Sequence, residues 1–530
     1  MSGQGPEEAA KRNHAGPRAH AEREHGMSTG SFRLTDDDVV DYAMATGDRN
    51  PLHVDADFAR RSPYGRPIAH GALIVTLALG ALFAELDSRV VRQLRVTFRQ
   101  PAIPGRRYRI EWSISDGEAR GKVSFGGIEA VGIRCGLGPE LPLTTETAPD
   151  HPYRRTARRL NPANPPGPEA GAFSIGYRLI SDVVERVAGG RVPEHLATLL
   201  GWVSYWTGMH TPGRDALLVA CSIELERAGT GAIEFSTETP DIDRRSGLIT
   251  LRASTRCGAD AAVTIESLVR EQVPGPEPGE IAAVLPVSRS LAGRTVLVVG
   301  GSRGLGAAVS LALAGQGARV LIGCTRRPET LLATAPGWAD RLIPVVADAS
   351  DPRALAAALP DEPLDGVVCL AAPAIPTLPL APDAIDPAID FIGESSRLVL
   401  TPLSVCAARL RPDATVALVS SEAVIDPPRW WPHYAAAKGV VEGLAHYVAR
   451  HHPWRVVVAR PPRLWTEMTN TPGGRAQSNP IGPVAAGIVG AFLAPAAPGE
   501  VTVLGGSNAW TAPSEEVWRA GNPRPEQVLR

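Results

Sequence analysis

The chain has 530 residues, 44% apolar and 21% charged, with a formal net charge of −2. At roughly 150 residues per domain this length predicts three or four domains, and the composition excludes a disordered chain. The near-neutral balance leaves no basic field for nucleic acid or anionic lipid. Six scattered cysteines without a CxxC pair predict neither a metal site nor a disulfide framework, as in a reducing cytoplasm.

Residues 1–30 are rich in Arg, His, Gly and Glu, lack an apolar stretch and read as a disordered tail without a secretory signal. The first stretch with chemistry is "GDRNPLHVD", Gly47 to Asp55. Two readings stand on local grounds. Asp, Asn and Pro start surface turns, and the same residues could hold an acid, Asp48, beside a base, His53. Next comes "GALIVTLALGALFAEL", Gly71 to Leu86, interrupted by Glu85. It falls short of the ~20 residues a bilayer needs and predicts a helix buried on all sides, with no membrane span. "RQLRVTFRQP" and "RYRIEWSI" then alternate as half-buried antiparallel strands do. These define a block over 31–150.

A proline-rich seam, "RRLNPANPPGPEAG", lies within a linker at 151–170, and a second, "EQVPGPEPGE", opens another at 271–289. The block between them, 171–270, repeats the earlier plan. The apolar segment "EHLATLLGWVSYWTGMH" precedes strands such as "ALLVACSIELE" and "GLITLRAST". The alternative is two unrelated α+β domains, since the repeat is structural and weak in sequence. The second block lacks an Asp48–His53 loop. Its Trp202, Tyr205 and Trp206 either line a tunnel or pack the core.

From 290 to 530 continuous apolar strands alternate with helices, which predicts a parallel sheet buried on both faces. In "TVLVVGGSRGLG" a strand runs into Gly300, Ser302, Arg303, Gly304, Leu305 and Gly306 at the start of a helix. Glycines there allow a backbone to approach a pyrophosphate, and a helix N-terminus offers free N–H groups. After the second strand, "GCTRRPE" has no acid before Glu329 to bind a ribose 2′-hydroxyl. Arg326, with Arg303, suits a 2′-phosphate, hence NADPH. In "YAAAK", Tyr434 and Lys438 share a helix face, with Ser421 at the end of a preceding strand. The ammonium is expected to lower the phenol pKa, so that Tyr434 can protonate a carbonyl oxygen as hydride arrives. Only three lysines, Lys11, Lys122 and Lys438, occur in the chain, which marks Lys438 as a position arginine cannot fill.

Residues 290–510 resemble the short-chain dehydrogenase/reductase family, through the glycine loop, Asp348 and Ala349 in "VVADAS", Ser421, "YAAAK", "PPRLWTEM" and "VTVLGG". The resemblance implies that Asp348 and Ala349 border the adenine, Ser421 orients a carbonyl, Tyr434 is the acid and Lys438 binds ribose. It also places Pro461 and Thr466 at the nicotinamide. The family's usual Thr before the loop is Val299 here, its Asn-Asn-Ala-Gly strand end is "CLAA", and its structural Asn near 390–400 is absent. Residues 32–140 resemble the MaoC-like hydratase/dehydratase family, through "YAMATGDRNPLHVD", "RPIAHGALI" and "RVTFRQPAIPG" in that order. This resolves the loop toward function. It implies that Asp48 and His53 hold a water or leaving hydroxyl, and that the Gly71 N–H stabilises the thioester oxyanion. His70 reads as a structural residue before the helix.

The predicted architecture is an α+β double hotdog, its second half degenerate, followed by an α/β Rossmann-type doubly wound parallel sheet. The expected function is NADPH-dependent reduction of a 3-ketoacyl thioester to the (3R)-hydroxy form and dehydration to the trans-2-enoyl form, in fatty acid or polyketide-type biosynthesis. The substrate rides on acyl carrier protein or CoA. The chain is expected to be a cytoplasmic dimer or tetramer, with no nucleic-acid or membrane partner. Two alternatives stand: an (R)-specific enoyl-CoA hydratase with a 3-hydroxyacyl-CoA dehydrogenase in acyl breakdown, or a reductase carrying a non-catalytic acyl-binding module.

Overall fold

Residues 26–510 are described by the computed structural model, apart from 87–88, 147, 149–155, 162–163, 472–473, 495–498 and 507–509. The first sheet contains β1 (Gly26–Arg33), β2 (Val90–Phe98), β3 (Arg107–Ile114), β4 (Glu118–Phe125), β5 (Ile128–Gly138), β6 (Ala170–Phe173), β7 (Ala216–Thr237), β8 (Asp241–Ile242) and β9 (Leu248–Val269). Their order is β1-β3-β4-β5-β2-β7-β9-β8, with β6 also paired to β7. Every pairing is antiparallel. β2 against β7 sets Leu94 opposite Ile223 and Val96 opposite Cys221, so the two halves share one continuous sheet.

Each half of that sheet wraps one helix. In the first, Gly71–Phe83 is apolar around its circumference and buries Leu73, Val75, Leu77 and Leu79 completely. A helix without a polar face has no stable place at a surface, and the curved sheet encloses it. Trp112 of β3 donates from Nε1 to the Ala78 carbonyl of this helix, 3.1 Å away. In the second half Glu194–Tyr205 takes the equivalent place and packs against the first helix. It ends in a π-helical turn, Trp206–His210. This is the double hotdog that the paired blocks predict.

The second sheet is fully parallel, with order β12-β11-β10-β13-β14-β15-β16. Its strands are β10 (Thr295–Val299), β11 (Arg319–Cys324), β12 (Leu342–Val346), β13 (Leu364–Cys369), β14 (Leu410–Val419), β15 (Arg455–Arg460) and β16 (Val501–Gly505). Helices Gly304–Gly315 and Ile481–Leu493 cover one face, and Ile385–Cys406 and Pro432–His451 the other. This is a doubly wound Rossmann-type sheet.

Three boundaries differ from expectation. The tail expected over 1–30 ends sooner, because residues 26–30 belong to β1 and pair with β3; residues 1–25 lie outside the described residues. The linker at 271–289 contains a helix, Pro278–Val284, since proline is well placed in a first turn and Ile281 and Leu285 then bury against the second domain's core. Third, the segment after β13 leaves its own domain, and Leu378 and Ala384 are buried in the hotdog core. Gly65 permits this docking: a Cβ there would stand 2.3 Å from the Ala374 Cβ.

Candidate active sites

The helix Asp36–Thr46 begins with a Thr35–Asp38 capping box and stops at Gly47, whose φ of 75° turns the chain. Asn50 caps the next short helix, accepting from the Leu52 N–H at 3.0 Å. Its amide also donates to the carbonyls of Gly208 at 2.7 Å and Gly213 at 3.1 Å. The loop is therefore pinned to the second half, and Asp48 is 1% exposed. A plain surface turn does not describe it.

The Asp48 carboxylate accepts from Ser204 Oγ at 2.6 Å and from the Asn50 N–H at 3.2 Å. His53 Nδ1 lies 2.8 Å from the Ile68 carbonyl, which assigns the proton to Nδ1 and leaves Nε2 as a base. His70 Nε2 donates to the Asp48 carbonyl at 3.0 Å, and the two imidazoles stack with centroids 3.8 Å apart. His70 makes no side-chain cap bond to its helix; it positions the Asp48 backbone. Burial pushes the Asp48 carboxyl up, against opposing effects of His53 and Ser204. Burial pulls His53 down, with Asp48 opposing, and holds His70 well below the usual range. Asp48, His53 and His70 place ligand-type atoms within 4.8 Å of one another, a spacing that could also hold a metal ion.

These groups border a cavity that also reaches Gly71, Phe98, Ser204 and Thr207. Gly71 opens its helix, where first-turn N–H groups have no intrahelical acceptor. Asp48, His53 and Gly71 thus meet in one site.

The second site lies at the carboxyl ends of β10 to β15. Gly300 has φ 80°, and a Cβ on Gly306 would stand 2.0 Å from the Gly300 carbonyl oxygen, so loop and helix approach as only glycines allow. Arg303 is the N-cap of helix Gly304–Gly315 and forms no side-chain cap bond, which leaves the first N–H groups, from Gly304, Leu305 and Gly306, for an anion. This geometry fits a dinucleotide pyrophosphate. Ser302 lies in the same turn. Asp348 lies two residues past the end of β12 and accepts from the Ser350 N–H at 2.9 Å, and Ala349 beside it packs against the core. Pro461 follows β15 and its carbonyl accepts from the Glu422 N–H at 3.1 Å, while the Thr466 N–H donates to Thr469 Oγ1 at 3.1 Å.

Tyr434 and Lys438 lie one turn apart on helix Pro432–His451, with Nζ 5.7 Å from the phenol ring centroid. Ser421 faces the phenol. Burial brings Lys438 down to about 8, and its ammonium donates to the Val419 carbonyl at 2.8 Å. The expected lowering of the Tyr434 pKa is not seen. Burial raises the phenol, and only the Ser421 hydroxyl opposes it. Arg303 pairs with Glu467 at 2.7 Å, and Arg326 pairs with Asp57 of the hotdog half.

A MaoC-like domain model matches residues 20–128, and a short-chain dehydrogenase model matches 294–378. The chain joins a MaoC-like domain to a short-chain dehydrogenase domain. The MaoC-like region is 38% identical over 71 residues to a 3-hydroxybutyryl-CoA dehydratase of Methylorubrum extorquens, covering 13% of this chain and 45% of that protein. It is 33% identical over 70 residues to an (R)-specific enoyl-CoA hydratase of Aeromonas caviae, covering 13% and 52%. The chain thus spans about half the length of these curated relatives. A short-chain dehydrogenase from Burkholderia cenocepacia, solved in complex with NADP, is 23% identical, covers 40% of this chain and 97% of that one, and has a TM-score of 0.36.

In the MaoC-like half, Ser204 and Gly208 escaped the sequence reading. Both come from the second central helix and its π turn, and a Cβ on Gly208 would stand 2.4 Å from Asp48 Oδ1. Their signal is slight: small residues at i and i+4 in an otherwise bulky segment, "SYWTG". Trp202, Tyr205 and Trp206 are all within 1% of full burial and belong to the core cluster, so the tunnel role is dropped.

Proposed function

We propose that the chain reduces a 3-ketoacyl thioester with NADPH in its dehydrogenase domain and dehydrates the (3R)-hydroxyacyl product in its MaoC-like domain, as in fatty acid or polyketide-type assembly. The observation that carries the hydratase reading is a fully buried carboxylate, Asp48, facing a cavity beside a neutral imidazole, His53. Burying a charge is costly, and an acyl-binding module has no need of it. Here Ser204 and the Asn50 N–H hold Asp48 in place.

The chemistry follows from these positions. In dehydration His53 Nε2, unprotonated because burial depresses its pKa, takes the α-proton and passes it to the β-hydroxyl, which Asp48 holds in place, so that the oxygen leaves as water; in reverse the attacking water gives up its proton along the same route. The Gly71 N–H, at a helix N-terminus, faces the thioester oxygen as enolate charge develops. In the other domain, the bound nicotinamide supplies hydride. Tyr434 donates its proton to the carbonyl oxygen, Ser421 orients that carbonyl, and Lys438 holds ribose hydroxyls beside the phenol. Gly300 to Gly306 cradle the pyrophosphate, Asp348 and Ala349 border the adenine, and Pro461 and Thr466 the nicotinamide amide. The absence of an acid after β11, with Arg303 and Arg326 at hand, favours a 2′-phosphate. A bound phosphate would replace the carboxylates of Glu467 and Asp57 on these arginines. The carrier, acyl carrier protein or CoA, presents the same phosphopantetheine arm to either site.

The test is direct: purified chain, 3-ketoacyl and (3R)-hydroxyacyl thioesters, and NADPH against NADH. NADPH oxidation by the first substrate and enoyl absorbance from the second are expected. Neither signal on any chain length would refute the proposal.

A further inference from the structure

A second cavity lies between the MaoC-like and dehydrogenase domains. On the dehydrogenase side it ends at Trp431 and Met468. Trp431 packs edge-on to Tyr434, with ring centroids 5.8 Å apart, and Met468 lies two residues past Thr466. On the hotdog side it ends at Tyr64, Gln100 and Pro101, and these three residues also line the cavity that holds Asp48, His53 and Gly71. The same side chains thus bound both spaces. Packing of Leu378 and Ala384 into the hotdog core fixes the domains against each other around this region.

The walls suit an acyl thioester. Ile103, Phe125 and Ile375 give the space an apolar lining. Two cations also border it, Arg106 and Arg463. Arg106 lies over the Phe125 ring at 4.9 Å, and Arg463 bonds to Gln477 and Thr471 at 3.3 and 3.2 Å. Among the described residues neither has a carboxylate within ion-pair distance, whereas Arg303 and Arg326 do. Unpaired guanidinium groups on an apolar chamber fit the phosphate of a phosphopantetheine arm.

We infer that the two cavities form one chamber inside the chain, through which the 3-hydroxyacyl thioester passes from Tyr434 to Asp48 and His53 without release to solvent. The inference rests on the proposed pair of reactions. No new bond chemistry is involved. The carrier arm stays on the chamber wall, and the acyl end moves from one face of Tyr64, Gln100 and Pro101 to the other.

The experiment is isotope dilution with the full chain. Labelled 3-ketoacyl-CoA and NADPH are supplied with a large excess of unlabelled (3R)-hydroxyacyl-CoA, and the specific activity of the first enoyl-CoA formed is measured. Passage through the chamber predicts enoyl-CoA of clearly higher specific activity than the free hydroxyacyl-CoA pool from which supplied intermediate is dehydrated. An equal mixture of Tyr434→Phe and Asp48→Asn chains, in which the intermediate has to cross solvent, sets the fully diluted value. Product from the parent chain diluted to that value would overturn the inference. The two half-reactions are assayed separately beforehand, so failure of either one refutes the proposed function, while two working half-reactions with full dilution refute only the passage.

Discussion

Gly208→Ala is the sharpest probe of how the second half of the hotdog serves the first. The added Cβ would stand 2.4 Å from Asp48 Oδ1 and 2.9 Å from its Cγ. The carboxylate then has to retreat by roughly 1 Å, and a displacement of that size at a reacting group costs about 10²-fold in rate. In barrier height that is about 2.7 kcal/mol. The retreat also strains the 2.6 Å bond from Ser204, so the loss and the geometry act in the same direction. Overpacking of a core by one methyl costs about 1–3 kcal/mol of stability. At about 2–4 °C per kcal/mol for a domain of 150–250 residues, the variant should melt several degrees lower and remain folded at 25 °C. The assay is enoyl formation from a (3R)-hydroxyacyl thioester, with ketoreduction by the same preparation as the control for folding. A folded Gly208→Ala chain that dehydrates at the parent rate would refute the placement of Asp48 in the reaction.

Asp48→Asn keeps size and turn-forming ability while removing the charge, and dehydration should fall by about 10²–10⁴ with reduction unaffected. Tyr434→Phe should abolish ketoreduction and leave dehydration of supplied hydroxyacyl thioester intact; loss of both in a folded protein would show that the sites are not separate. Burial lowers Lys438 to about 8, so its ammonium discharges as pH rises through that value, and kcat/KM for NADPH should decline above it. A pH profile flat across that value would count against Lys438 as a charged partner of the ribose. Replacing Arg303 and Arg326 with alanine should weaken NADPH much more than NADH in titrations, and equal affinities in the parent chain would remove the basis for a 2′-phosphate site.

What the sequence made legible was local. Asp48 and His53 lie five positions apart, and Tyr434 and Lys438 one helical turn, so spacing alone sets them together. The glycine loop announces itself because a strand and a helix flank it. What stayed hidden depends on distant segments meeting. Ser204 and Gly208 reach Asp48 from more than 150 positions away, on a helix whose apolar character masks two small residues. Arg326 meets Asp57 across the domain boundary, and no pattern in either segment records the other. The direction of the Tyr434 shift was misread for a related reason. Helical spacing locates Lys438 beside the ring, but burial, which raises the phenol, comes from the surrounding tertiary structure. Likewise, the proline-rich run at 271–289 signals a linker, and only Ile281 and Leu285 meeting the second core make part of it a helix.

The segment that carries Leu378 and Ala384 into the hotdog core means that the covalent seam and the cooperative folding unit do not coincide. Severing the chain at 271–289 would leave the MaoC-like piece with two vacated core positions and the dehydrogenase piece with its apolar crossing segment bared to water. Each fragment would then lose stability that it borrows from the other and gain a surface prone to self-association. Melting of the hotdog core should accordingly respond to dinucleotide bound in the neighbouring domain, since holding the 370–384 crossing in place supports both.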